Sequence, residues 1–87
     1  METDKKLIWA YLSMKRQNLD DDYYFYEDGT ILHHYDQTIM KLDIEEYISP
    51  NDITDYDKNR ILSKCKDECA NSIFEAVNDM LNPQTAH

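Results

Sequence analysis

Four side chains in this sequence carry the lone pairs and nucleophilicity that metal or thiol chemistry needs: His33 and His34, then Cys65 and Cys69. His87 at the carboxyl end is the one further histidine. A structural zinc site takes four such ligands in a tetrahedron. Adjacent residues of a strand point to opposite faces, so His33 and His34 cannot both reach one ion without distorting the backbone. Cys65 and Cys69 share a helical face, but Cys-x3-Cys supplies half a site, and one histidine and something else would have to complete it. As packing elements, the two cysteines are small apolar side chains of the kind that proteins bury. We therefore expect no bound metal and no cofactor. A metal- or thiol-dependent regulator using Cys65, Cys69 and a histidine is the alternative.

The carboxylates are equally indecisive as chemistry. Asp20-Asp21-Asp22 followed by Glu27-Asp28 suggests a divalent cation, yet an EF-hand loop needs glycine at its sixth position, and counting from Asp20 that position is Phe25. A loose, unspecific calcium or magnesium site is the most that run could form. No spacing selects a general acid and base among the carboxylates and the histidines. Ser13, Ser49, Ser63 and Ser72 lack the context of a nucleophile, and the single glycine, Gly29, excludes dinucleotide fingerprints, P-loops and nucleophile elbows. The expectation is a protein that is not an enzyme.

Charge is the stronger signal. The chain has 87 residues with 9 Lys and Arg against 18 Asp and Glu, for a net charge of −9 and a pI near 4.5. That excludes a phosphate-binding surface as the default and argues against direct nucleic-acid binding. Residues 20–57 hold twelve acids and one base, Lys41, so the negative charge is concentrated in the middle of the chain. Tyr23, Tyr24, Tyr26, Tyr35, Tyr47 and Tyr56 lie in the same stretch. Tyrosine offers a large rigid contact area and a hydroxyl, and tyrosines ringed by carboxylates suit a basic partner. The expected function is a small acidic interaction module that binds and inhibits a basic protein surface, such as one meant for nucleic acid. Its expected contact residues are the carboxylates Asp20, Asp21, Asp22, Glu27, Asp28 and Asp36, with Tyr24, Tyr26 and Tyr35. The competing reading is a solvated acidic domain whose tyrosines build the core.

The elements that would position these residues are those of a single small α+β domain over 1–82, with a flexible tail at 83–87. The aromatic and β-branched runs on either side of Asp28-Gly29 predict an antiparallel β-hairpin. A two-residue turn would pair Phe25 with Leu32 and Tyr26 with Ile31, placing Phe25, Leu32, Tyr23 and His34 on one face. Thr3 to Asn18 has helical spacing at Leu7, Ile8, Tyr11 and Leu12 with Thr3 as N-cap, while residues 7–14 also read as a third strand. Asp43 and Glu46 have capping-box spacing and predict a helical turn through Ile44, Tyr47 and Ile48. Ser49-Pro50 ends that turn and can begin another. From Thr54 onward the apolar residues recur at three- and four-residue steps, read as two helices broken near Lys66-Asp67. The predicted core is Ile8, Tyr11, Leu12, Phe25, Leu32, Ile61, Leu62, Cys65, Ile73, Phe74, Val77 and Leu81.

The longest apolar stretch, Leu7 to Leu12, is too short to cross a bilayer, and no signal-peptide plan opens the chain. Unpaired cysteines suit a reducing compartment, so the expected location is cytoplasmic, without membrane association, for a free-standing small protein.

Overall fold

The computed structural model describes residues 5–83. Thr3 and the tail beyond Pro83, both named above, lie outside the described residues. The chain is an α+β domain whose first half forms one four-stranded antiparallel sheet, β1 (Leu7–Tyr11), β2 (Asp21–Tyr26), β3 (Ile31–Tyr35) and β4 (Ile44–Ile48), in sequence order across the sheet. Two helices follow, α1 (Asp55–Glu68) and α2 (Asn71–Leu81).

Residues 7–11 are therefore a strand and not the expected helix. Trp9 pairs with Phe25 and Tyr11 with Tyr23, and the ring of Trp9 stacks on Phe25 with centroids 6.1 Å apart. Aromatic cross-strand pairs of this kind outweigh the helical spacing that a short apolar run also satisfies.

The β2–β3 hairpin is present, but its register differs by one residue from the expected one. Gly29 N donates to Tyr26 O at 3.0 Å and Tyr26 N to Thr30 O at 3.0 Å, so the loop is Glu27-Asp28-Gly29. Gly29 sits at φ +90°, the conformation that closes a three-residue loop and that only glycine enters freely. Asp28 fixes the turn by accepting from Thr30 N at 3.0 Å and from Thr30 Oγ1 at 2.6 Å. Phe25 now pairs with Ile31 and Tyr24 with Leu32. Because side chains alternate, this single step moves Ile31 into the core and turns Leu32 to the other face.

Residues 44–48 form β4, not a helical turn: Ile31 pairs with Ile48 and Tyr35 with Ile44. The capping box falls one element later. Ser49 and Asp52 cap a 3-10 turn at Pro50–Asp52, with Asn51 N donating to Ser49 Oγ and Ser49 N to Asp52 Oδ2. Thr54 then caps α1, its hydroxyl accepting from Asp57 N at 3.1 Å. Asp55 and Asp57 in the first turn of α1 and Lys66 in its last suit the helix dipole. The break between helices lies at Cys69 and Ala70, both extended, slightly beyond the expected Lys66-Asp67.

Both helices cover one face of the sheet. Ile61, Cys65, Val77 and Leu81 from the helices and Phe25 from β2 are wholly buried, joined by Ile31, Tyr11, Tyr23 and Ile53. Leu12, expected in this core, is 60 % exposed because β1 ends before it.

Candidate functional site

Since Phe25 and Ile31 face the helices, the alternating residues must face away from them. The uncovered face carries Tyr24, Leu32 and Tyr47 in one row across β2, β3 and β4, and Asp22, His34 and Glu45 in the next. Tyr24 and Leu32 are half-buried by their neighbours, while Tyr47 is 53 % exposed. Lys5 sits over the Tyr47 ring, 5.2 Å from its centroid, and pairs with Asp28 at the hairpin tip.

The expected contact residues are divided by this geometry. Asp22, Tyr24 and Tyr26 alternate along β2 on the uncovered side, with Asp20 next to Asp22 and His34. Asp21 and Tyr35 belong to the opposite face, where His33 bonds Asp21 at 2.7 Å and stacks between Tyr23 and Tyr35, each at 4.4 Å between centroids. Tyr35 donates its hydroxyl to Glu46 at 3.0 Å and lies under the Lys15 ammonium. Glu27 and Asp28 occupy the hairpin tip, both exposed, and Lys5 and Thr30 hold the Asp28 carboxyl down to about 2.

Two of the expected carboxylates are structural. Asp36 is buried and accepts from Asp20 N at 2.9 Å and Asp43 N at 2.8 Å, tying the starts of β2 and β4 to the end of β3. Hydrogen bonds from Asp43 and Asp20 hold its carboxyl below the usual range. Asp22 is buried as well, taking Ser13 N at 3.1 Å on Oδ1 and facing His34 Nδ1 at 3.3 Å on Oδ2. Both carboxylates are engaged within the domain.

The phenols of the uncovered face sit in a negative field. Burial, followed by Asp22, Tyr26, Glu45 and Asp20, raises the pKa of Tyr24; burial, followed by Tyr47 and Glu45, raises that of Tyr26. Both hydroxyls stay protonated at neutral pH and can donate to a ligand. Leu32, Glu45 and Tyr47 complete the face, and sequence reasoning missed them. Glu45 and Tyr47 sit two residues apart, the strand spacing that a helical turn at 44–48 conceals.

For metal chemistry, Asp20, Asp22 and His34 each offer a ligand atom within 4.8 Å of the others, while among the described residues no such group joins a cysteine to a histidine. Cys65 is buried, and burial and its neighbour Cys69 push its thiol up to about 12, so it stays a protonated thiol at neutral pH. A groove of about 440 Å³ runs along α1, lined by Tyr11, Tyr56, Asn59, Arg60, Ser63, Lys64 and Asp67. Its cationic groups set it apart from the acidic sheet face.

Comparison with protein-family models, with curated proteins and with solved structures returns no match.

Proposed function

We propose that this chain is an acidic interaction module that binds a basic protein surface through the uncovered sheet face and, by occupying that surface, inhibits it. The observation that carries this reading is the row Tyr24, Leu32 and Tyr47, which no helix of the described residues covers and which carboxylates border. An apolar and aromatic patch rimmed by charge is the anatomy of a contact surface, with a central anchor and a polar rim. The rim charges would steer a basic partner into place, and the tyrosines would hold it.

Tyr24, Tyr26, Leu32 and Tyr47 are the anchors, with Asp20, Glu45 and Glu27 at the rim. Asp22 and Asp36 hold the sheet, and Asp21 and Tyr35 belong to the other face. Binding, with neither catalysis nor a cofactor, is the activity this surface serves. The free thiols of Cys65 and Cys69 favour a reducing, cytoplasmic setting. Among the described residues no helix is long and apolar enough to cross a membrane.

The test is capture from native lysate followed by kinetics. A basic protein should be retained at low salt, with an on-rate that falls as the Debye length shrinks from about 10 Å at 0.1 M towards 3 Å at 1 M. Retention of only acidic proteins, or a complex indifferent to salt, would leave the acidic middle as a solvated surface.

A further inference from the structure

A sheet of four strands in sequence order has two edges, β1 and β4, and the chain treats them differently. Along β1 the register breaks between Leu7 and Trp9, both helices touch the strand, and Trp9 Nε1 donates to Glu68 at 3.1 Å. Bulging and covering are two ways in which proteins retire an edge. β4 has neither. Its five residues run in unbroken register with β3, from Ile44 opposite Tyr35 to Ile48 opposite Ile31, and Glu45, Glu46 and Tyr47 are exposed.

What guards β4 is charge. Glu45 lies in the row of His34 on the uncovered face, and Glu46 in the row of His33 on the other, so a carboxylate stands on each side of the strand. Asp43, 78 % exposed at the side chain, extends the acidity at one end, and no Lys or Arg occurs from 42 to 57. A second copy pairing through β4 would set these carboxylates against one another, and like charges across a pair are unfavourable. A strand carrying Lys or Arg would instead meet an opposite charge on either face.

We infer that β4 is a pairing edge, and that its occupant is a basic extended segment of the partner, added as a fifth strand beside Glu45 and Glu46. Main-chain hydrogen bonds would give affinity and the two carboxylates selectivity, as in other strand-addition complexes. The inference rests on the basic-partner reading above, and it adds the mode of engagement.

The test uses the whole chain and a short synthetic peptide of Val and Thr with two adjacent Lys at its centre, which face opposite sides of a strand, compared with the same peptide N-methylated on its backbone amides. The parent peptide should bind at about 0.05 M salt and slow exchange of the β4 amides about tenfold or more, whereas N-methylation should weaken binding by at least about tenfold. Replacing Glu45→Lys with Glu46→Lys should transfer the preference to the same peptide with Glu in place of both Lys. An N-methylated peptide that binds as tightly as its parent would overturn strand pairing while leaving the acidic face intact. Failure of both basic peptides to bind would overturn the edge and the basic-partner reading together. If the double lysine variant does not fold, the two peptides on the unmodified chain decide the matter.

Discussion

Asp22 and His34 stand directly opposite one another on β2 and β3, carboxylate Oδ2 to ring Nδ1 at 3.3 Å, and the far nitrogen of the same ring lies 3.2 Å from Asp43 Oδ1. A ring with a carboxylate at each nitrogen is held best when both nitrogens carry protons. Burial opposes that charge, but the hydrogen bonds to Asp43 and Asp22 prevail, and the pKa of His34 is raised above its ordinary 6.5.

A raised folded-state pKa means that the native state holds this proton more tightly than the unfolded chain does. The resulting stabilisation is full below about pH 6.5 and is lost as pH rises through the raised value. Thermal unfolding between pH 5 and 9 should therefore show a melting temperature that falls across this window, and His34→Gln should flatten that fall. An identical slope in the variant would place the proton elsewhere.

Asp36 is the clasp between the ends of three strands. Replacing it by Ala removes the acceptor for both Asp20 N and Asp43 N, so the melting temperature should drop, and amide exchange should accelerate at residues 20 and 43 before it does at Phe25. Asp36→Asn, which keeps one carbonyl acceptor, should fall between. A variant with exchange at residues 20 and 43 unaltered would show that the clasp is not needed.

The hairpin register is open to a paired substitution. Ile31→Ala should destabilise by about 2–5 kcal/mol because it empties a buried site, and Leu32→Ala by clearly less. The two-residue turn predicts the reverse order. Gly29→Val should cost more than about 1 kcal/mol, since a β-branched residue is strained at positive φ. Urea unfolding of the three variants gives all these values.

Thiol labelling reports on the helix pair. Cys65 is wholly buried and Cys69 half-buried, so an aromatic disulfide reagent should modify Cys69 first and Cys65 only on unfolding. Equal native rates would contradict the packing of α1 on the sheet.

The sequence makes some of this legible and hides the rest for identifiable reasons. A hairpin turning at Asp28-Gly29, two helices after Thr54 and most of the core are local patterns and are found, with the loop one residue longer and the helix break a few residues later than read. The register is not local. Whether the loop closes with two residues or three depends on which of Ile31 and Leu32 the helices bury, and periodicity along one strand cannot decide it. β1 and β4 were obscured because each is a five-residue run whose partner strand settles its conformation. The proposed contact face was obscured in turn. Asp22 and Asp36 look like free charges in a sequence, but the turns around them recruit both as acceptors, and Leu32, Glu45 and Tyr47 emerge only when β4 is laid beside β3.

A basic ligand should touch this protein on the uncovered face of the sheet. Backbone amide chemical shifts should be followed during titration with a short polylysine at low salt, then again near 0.5 M salt. We predict shifts concentrated at Asp20, Tyr24, Tyr26, Leu32, Glu45 and Tyr47, absent from α2 and abolished by salt. Shifts spread evenly over every exposed carboxylate, or gathered on Asp67, Glu68, Glu75 and Asp79 of the helices, would contradict it.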